Sequence, residues 1–245
     1  MEKLKPFLRE RSCEVLFNLM TSFLTRFVEA KGRESSYHEL FGRSGVLEKI
    51  RALPKGTGER EETAVREYCK SLKEICGFRY VSQAIILDPA KEKVRYHLVF
   101  ATNSLRGIEV FKNAEMESIQ TQDEVRRDTR IKKTRQPGLF DVASSRSPMM
   151  QQLHHRYSDQ AREKIVKVLS SDSRSFLPYE DLFGEAMAFP VVSRDDLNDW
   201  LRDLPHIKVE LNGSQRKKPL LFKGDRVGII NLQGLCELLG KMKRS

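Results

Sequence analysis

Long apolar runs are missing from this 245-residue chain. None approaches the roughly 20 residues that cross a bilayer. The amino-terminal MEKLKPFLRERS carries early charges but no apolar core of a secretion signal. The reading is a soluble, cytoplasmic protein with no membrane partner. Metal-type cysteine pairs are missing as well. Cys13, Cys69, Cys76 and Cys236 make no CxxC pair. Cys69 and Cys76 stand two helical turns apart, but no histidine or second pair completes a ligand set. They read as structural thiols, and no metal is expected. No nucleophile is accompanied by a base and an orienting group.

What is present is the balance of a globular protein. Hydrophobic residues make up 39% and charged residues 32% of the chain. That suits solvated domains with real cores, and the length suits one large or two modest domains. The net charge of +10 is compatible with a nucleic-acid partner, yet every region shares the excess. Local clusters must therefore carry any binding argument.

Residues 13–20 (CEVLFNLM) predict a strand buried on both faces. Thr21 is placed to cap the helix that follows, and Gly32 to stop it. LPKGTGE (53–59) reads as a loop. The segment Glu59 to Cys76 predicts an amphipathic helix with Ala64, Val65, Tyr68, Leu72, Ile75 and Cys76 on one stripe, ended by Gly77. Residues 78–87 and 95–102 then predict two strands around the Asp88-Pro89 turn, paired antiparallel because the connection is short. Asn103 or Ser104 can cap a helix over 105–117. Residues 118–150 turn polar and basic, with Pro137-Gly138 and Pro148. They read as a basic extension of the helix and then an interdomain linker.

The remainder, 151–245, has its own pattern. Helices are predicted from Tyr157, after Pro178 and after Ser193. Short strands are predicted at 207–211, 220–222 and 226–230, with NGSQRKK as the turn. Three helices followed by a basic-tipped hairpin make a winged helix-turn-helix.

CEVLFNLMTSFLTRF, HELFG, the helix ending in GFRYV, and YHLVFATNSLRGIEVFKNAEM together resemble the three-Cys-motif partner family (TcmP). The shared positions are Glu14, Val15, Leu16, Asn18, Arg26 and Phe27, then Tyr96, Leu98, Phe100, Ala101, Thr102, Gly107, Glu109, Phe111 and Lys112. The resemblance covers about residues 6–116 well and residues 151–232 only as a pattern. It implies an α/β fold: over 1–117, the carboxyl-terminal part of a class I methyltransferase-like, Rossmann-like sheet ending in an antiparallel strand pair. A winged-helix domain over 151–245 follows the linker. It also implies S-adenosylmethionine as the ancestral cofactor. The family's D-P-F/Y-G motif is not in this sequence, nor is a Gly-rich turn after a first strand with an acidic residue ending a second. Residues 55–58 (KGTG) follow no strand and read as a helix-start loop. Asp88-Pro89 lies in a hairpin turn. The expectation is a chain that holds no cofactor by itself and needs a separate amino-terminal half, in the same product or another chain, for catalysis.

The candidate sites follow. Asn18 lies late in a strand expected to be central, and ligands of open α/β sheets bind beyond the carboxyl ends of strands. It is a candidate active-site edge, or an amide bonded to neighbouring backbone. His97 reads as a packed or exposed strand histidine before a catalytic base, and His154-His155 as solvent-facing. For nucleic acid, the helix after Ser193 is acidic, which opposes ordinary major-groove docking. The candidate contacts are the wing residues Arg216, Lys217 and Lys218, and the strip Arg126, Arg127, Arg130, Lys132 and Lys133. A three-stranded remnant also leaves a sheet edge beside residues 13–20. A protein partner or a second copy of the chain is expected to cover it.

Overall fold

A computed structural model describes residues 1, 3–10, 13–134, 147–172, 176–211 and 224–242. The chain divides into two compact units, Met1–Ser147 and Pro148–Ser245. The described residues are mixed α/β with two antiparallel three-stranded sheets, one in each unit.

The first unit begins with α1 (Lys5–Glu10), β1 (Val15–Leu19), α2 (Thr21–Arg26), α3 (Glu34–Phe41) and α4 (Val46–Arg51). It continues with α5 (Glu59–Glu74), β2 (Tyr80–Leu87), β3 (Val94–Thr102) and α6 (Leu105–Thr134). The strand order is β1-β3-β2, with β3 antiparallel to both neighbours. β1 is therefore an edge strand, in line with the open edge expected beside residues 13–20, and Asn18 does not lie in a central strand as expected for an active-site edge. The strand's period-2 alternation explains the other departure. Phe17 and Leu19 turn to the core, while Leu16 and Asn18 are exposed, so the strand is not buried on both faces.

The core lies on one side of this sheet. Val15, Phe17 and Leu19 face it in register with Ala101, Val99 and His97. The predicted stripe of α5 closes on them: Ala64, Val65, Tyr68, Leu72 and Cys76 are buried, and Ile75 packs half-buried. Tyr68 holds the centre through edge-on contacts with Phe17 at 5.6 Å and Phe41 at 6.2 Å. Gly77 ends the helix with φ 80°. Thr21, expected as a cap, is instead the first, buried residue of α2.

α6 covers the opposite side of β2 and β3. Ser104 caps it, its hydroxyl accepting from the Gly107 N–H at 3.2 Å. The helix continues to Thr134 because polar side chains fasten it to the hairpin. Gln122 accepts from the Leu87 N–H at 2.9 Å and donates to the Ile85 carbonyl at 3.2 Å. This spans the register shift between Ile86 and Leu87. The helical extension expected beyond residue 117 therefore runs to Thr134 and serves as packing surface, not only as a basic strip.

The second unit contains α7 (Pro148–Ser171), β4 (Phe176–Pro178), α8 (Tyr179–Ala186) and α9 (Arg194–Asp203). β5 (Ile207–Glu210), β6 (Arg226–Ile229) and α10 (Leu232–Met242) complete it. The sheet order is β4-β6-β5, all antiparallel. Gly228 on β6 is needed because the Phe176 ring lies where a Cβ would stand. Arg226 covers that ring at 4.8 Å. α9 opens with a capping box: Ser193 accepts from the Asp196 N–H at 3.2 Å, and Asp196 accepts from the Ser193 N–H at 2.7 Å. Tyr179, Leu182, Phe183, Val192, Leu197 and Leu201 form its interior with the α7 residues Ala161, Ile165 and Leu169.

Candidate functional site

Glu14, Thr102 and Gly107 come together although the chain separates them widely. The Thr102 hydroxyl donates to Glu14 Oε1 at 2.9 Å and accepts from the Ser104 N–H at 2.9 Å. Gly107 lies directly beneath; a Cβ there would press into Glu14 Oε1 and stand 3.0 Å from Thr102 Oγ1. Phe100 and Phe111 stack nearby at 4.9 Å. These contacts tie the start of β1 to the start of α6.

Asn18 sits exposed on the edge strand, opposite Leu98 and on the same face as Leu16. Among the described residues no group of metal-ligating side chains forms around it. β1 pairs only with β3, so its outer backbone edge is open among the described residues. Leu16, 58% exposed, extends that edge with an apolar side chain.

The next element adds a feature that sequence reasoning passed over. Met20, Phe23 and Phe27 recur at spacings of three and four along α2 and its ends, and all are exposed. Arg26 lies 5.0 Å above the Phe23 ring, and Arg33 lies 5.6 Å above the Phe27 ring. The signal was in the spacing of TSFLTRF: a helix that turns Leu24 and Val28 inward must turn Phe23 and Phe27 outward. A pocket of about 300 Å³ adjoins, lined by Ser22, Thr25, Arg26, Lys55, Arg60 and Glu61 among others. Two of its acids have partners: Arg60 donates to Glu29 at 2.8 Å, and Thr25 donates to Glu61 at 2.9 Å. The Gly56–Gly58 loop at its rim leads into Glu59, Glu61 and Glu62 at the start of α5, which opposes an anionic ligand there.

His97 is buried against the core, with Nδ1 unpartnered among the described residues. Burial pushes its pKa down to about 4, so the ring is neutral at physiological pH. It is the packed strand histidine expected and has no substrate access.

The basic strip divides. Arg126 is buried and belongs to the fold, not to a binding surface. It donates to the Asp88 carbonyl and, at 3.0 Å, to the Lys91 carbonyl, and it pairs with Glu92 at 2.8 Å. It thereby clamps the β2–β3 turn against α6. Arg127 is half-buried and Lys132 exposed. The backbone of Arg130 and Lys133 is in α6; their side chains, and the whole of Arg216, Lys217 and Lys218, lie outside the described residues.

On α9 the exposed positions are Asp195, Asp199, Arg202 and Asp203, with Arg202 bonded to Asp199 at 3.0 Å. The acidic face anticipated from sequence is therefore on the surface. His154, expected to face solvent, instead bonds Asp196 at 3.2 Å; His155 is exposed. Burial pushes the Asp196 carboxyl up, but hydrogen bonds from His154 and Ser193 outweigh it and hold its pKa below the usual value.

No group of metal-ligating side chains occurs among the described residues, and none of their helices is long and apolar enough to cross a membrane. The four cysteines are free thiols. No protein-family model matches the chain, and neither does any curated protein or solved structure.

Proposed function

We propose that residues 1–245 join the closing strands of a methyltransferase-like sheet to a winged-helix unit, in the manner of the three-Cys-motif partner family. In this reading the chain acts by binding and does not transfer a methyl group unaided. The supporting observation is the strand order β1-β3-β2, in which a reversed strand lies between two like-directed ones. The order α7-β4-α8-α9-β5-β6, with β6 between β4 and β5, supports the winged-helix part. The strand-to-helix turns of the first unit are Leu19–Met20–Thr21 and Thr102–Asn103–Ser104. Neither is the glycine turn that brings backbone close to a cofactor. S-adenosylmethionine would then be held only with a further methyltransferase half. Calorimetric titration with S-adenosylmethionine tests this, and no saturable heat is the expected result.

The second reading is an adaptor for nucleic acid or protein. The open edge of β1 favours it, since an unpaired strand edge accepts a strand from a partner or a second copy. On the winged-helix unit, the acidic α9 leaves the wing as the nucleic-acid contact. Replacing Arg216, Lys217 and Lys218 with Ala should weaken oligonucleotide binding and flatten its salt dependence. An unchanged salt slope contradicts a role for the wing.

A further inference from the structure

We propose that the exposed face of α2 binds single-stranded nucleic acid, stacking bases on Phe23 and Phe27 and on the guanidinium planes of Arg26 and Arg33. The inference rests on the first unit alone and is independent of the wing.

Two exposed rings four residues apart share one helix face, and each already carries a guanidinium within stacking range at 5.0 Å and 5.6 Å. Phe23 is 47% exposed and Phe27 42%. Arg26, Lys31 and Arg33 are exposed too, and among the described residues none stands in an ion pair. Of the neighbouring acids, Glu29 pairs with Arg60 at 2.8 Å and Lys55 at 3.5 Å, Glu34 pairs with Arg51 at 3.3 Å, and Glu61 accepts from Thr25 at 2.9 Å. The face therefore offers flat apolar surfaces together with three cations that stand in no ion pair among the described residues. An occupant that presents flat rings and regular negative charge satisfies both, and unpaired nucleotides do so.

Other occupants fit less well. A duplex hides its base faces inside the stack and would leave both phenylalanines unused. Two half-exposed rings offer roughly 200 Å² of contact when a whole ring buries about 150–250 Å². A stable dimer buries about 800 Å² on each partner. The six residues of α2 are few for an amphipathic helix lying in a membrane surface.

The test is fluorescence anisotropy of the full chain with labelled dT15, the corresponding 15-base-pair duplex, and vesicles containing phosphatidylserine. The expected result is a preference for dT15 that drops roughly tenfold or more in F23A/F27A. R26K/R33K should lose part of the affinity, because charge remains but the stacking plane is gone. R26Q/R33Q should also flatten the salt dependence. Circular dichroism melts check that each variant stays folded, as exposed positions should allow. Unchanged dT15 affinity in F23A/F27A overturns the proposal. So does tighter binding of duplex or vesicles than of dT15. A shift of F23A/F27A towards monomer in sedimentation, with dT15 binding retained, would make the face a protein contact and overturns it equally.

Discussion

The Thr102 hydroxyl, 88 residues beyond Glu14, bridges the Glu14 carboxylate and the Ser104 N–H, each at 2.9 Å, and so joins the first strand of the sheet to the start of the long helix. Gly107 leaves the space in which that bridge forms. Glu14, Thr102 and Gly107 are among the positions that carry the resemblance to the three-Cys-motif partner family. Packing contacts account for the placement of these three residues.

Gly107→Ala should therefore displace Glu14 and break its bond to Thr102. The expected loss is about 1–2 kcal/mol, from one charge-assisted hydrogen bond and local crowding. Urea denaturation checks it. Glu14→Ala should lose a similar amount, and adding it to the Gly107→Ala background should cost little more, since both remove one interaction.

Arg126→Ala should lower the stability of the first unit by about 2–4 kcal/mol, because carbonyls of the β2–β3 turn lose their buried donor. Lys132→Ala, at an exposed site on the same helix, should change stability by less than about 0.5 kcal/mol. Denaturation of both variants separates structural from surface members of the strip.

The buried His97 should make the first unit acid-sensitive. Its folded pKa of about 4 lies below the unfolded 6.5, so protonation favours unfolding. The stability held above pH 6.5 is lost as pH falls towards 4, by about 3 kcal/mol. Hydrogen exchange of β3 amides across that range reports it. His97→Leu should flatten the profile, since it removes the titrating ring and its unpartnered Nδ1.

In the second unit, Asp196→Asn should cost about 1–2 kcal/mol by weakening both the capping box and the bond to His154. Asp196 has a lowered pKa, so its contribution is present at neutral pH and disappears as pH falls through a value below 3.8. Trp200, the chain's one tryptophan, lies in α9 and reports this unit by fluorescence.

Much of this was legible in sequence. The stripe of α5, the hairpin of β2 and β3, and the Ser193 cap all follow from periodicity and local chemistry. What was not legible depended on contacts between distant segments. β1 reads as buried on both faces because its composition is apolar, but which face is covered is set by Tyr68 of α5 packing on Phe17. The extension of α6 beyond residue 117 was legible, but its packing through Gln122 and Arg126 onto the hairpin was not, since no local pattern announces those contacts. Arg126 looked like one more surface cation for the same reason. The exposure of Phe23 and Phe27 is not announced by residue type, because aromatic residues in a short helix ordinarily face the core.

The most direct measurement of the central claim is calorimetric titration of the full chain with S-adenosylmethionine, at protein concentrations that resolve micromolar binding. A chain that carries only the closing strands of a methyltransferase-like sheet should give heats indistinguishable from dilution. A saturable isotherm of one site per chain would contradict the account and place a complete methyl-donor pocket within residues 1–245.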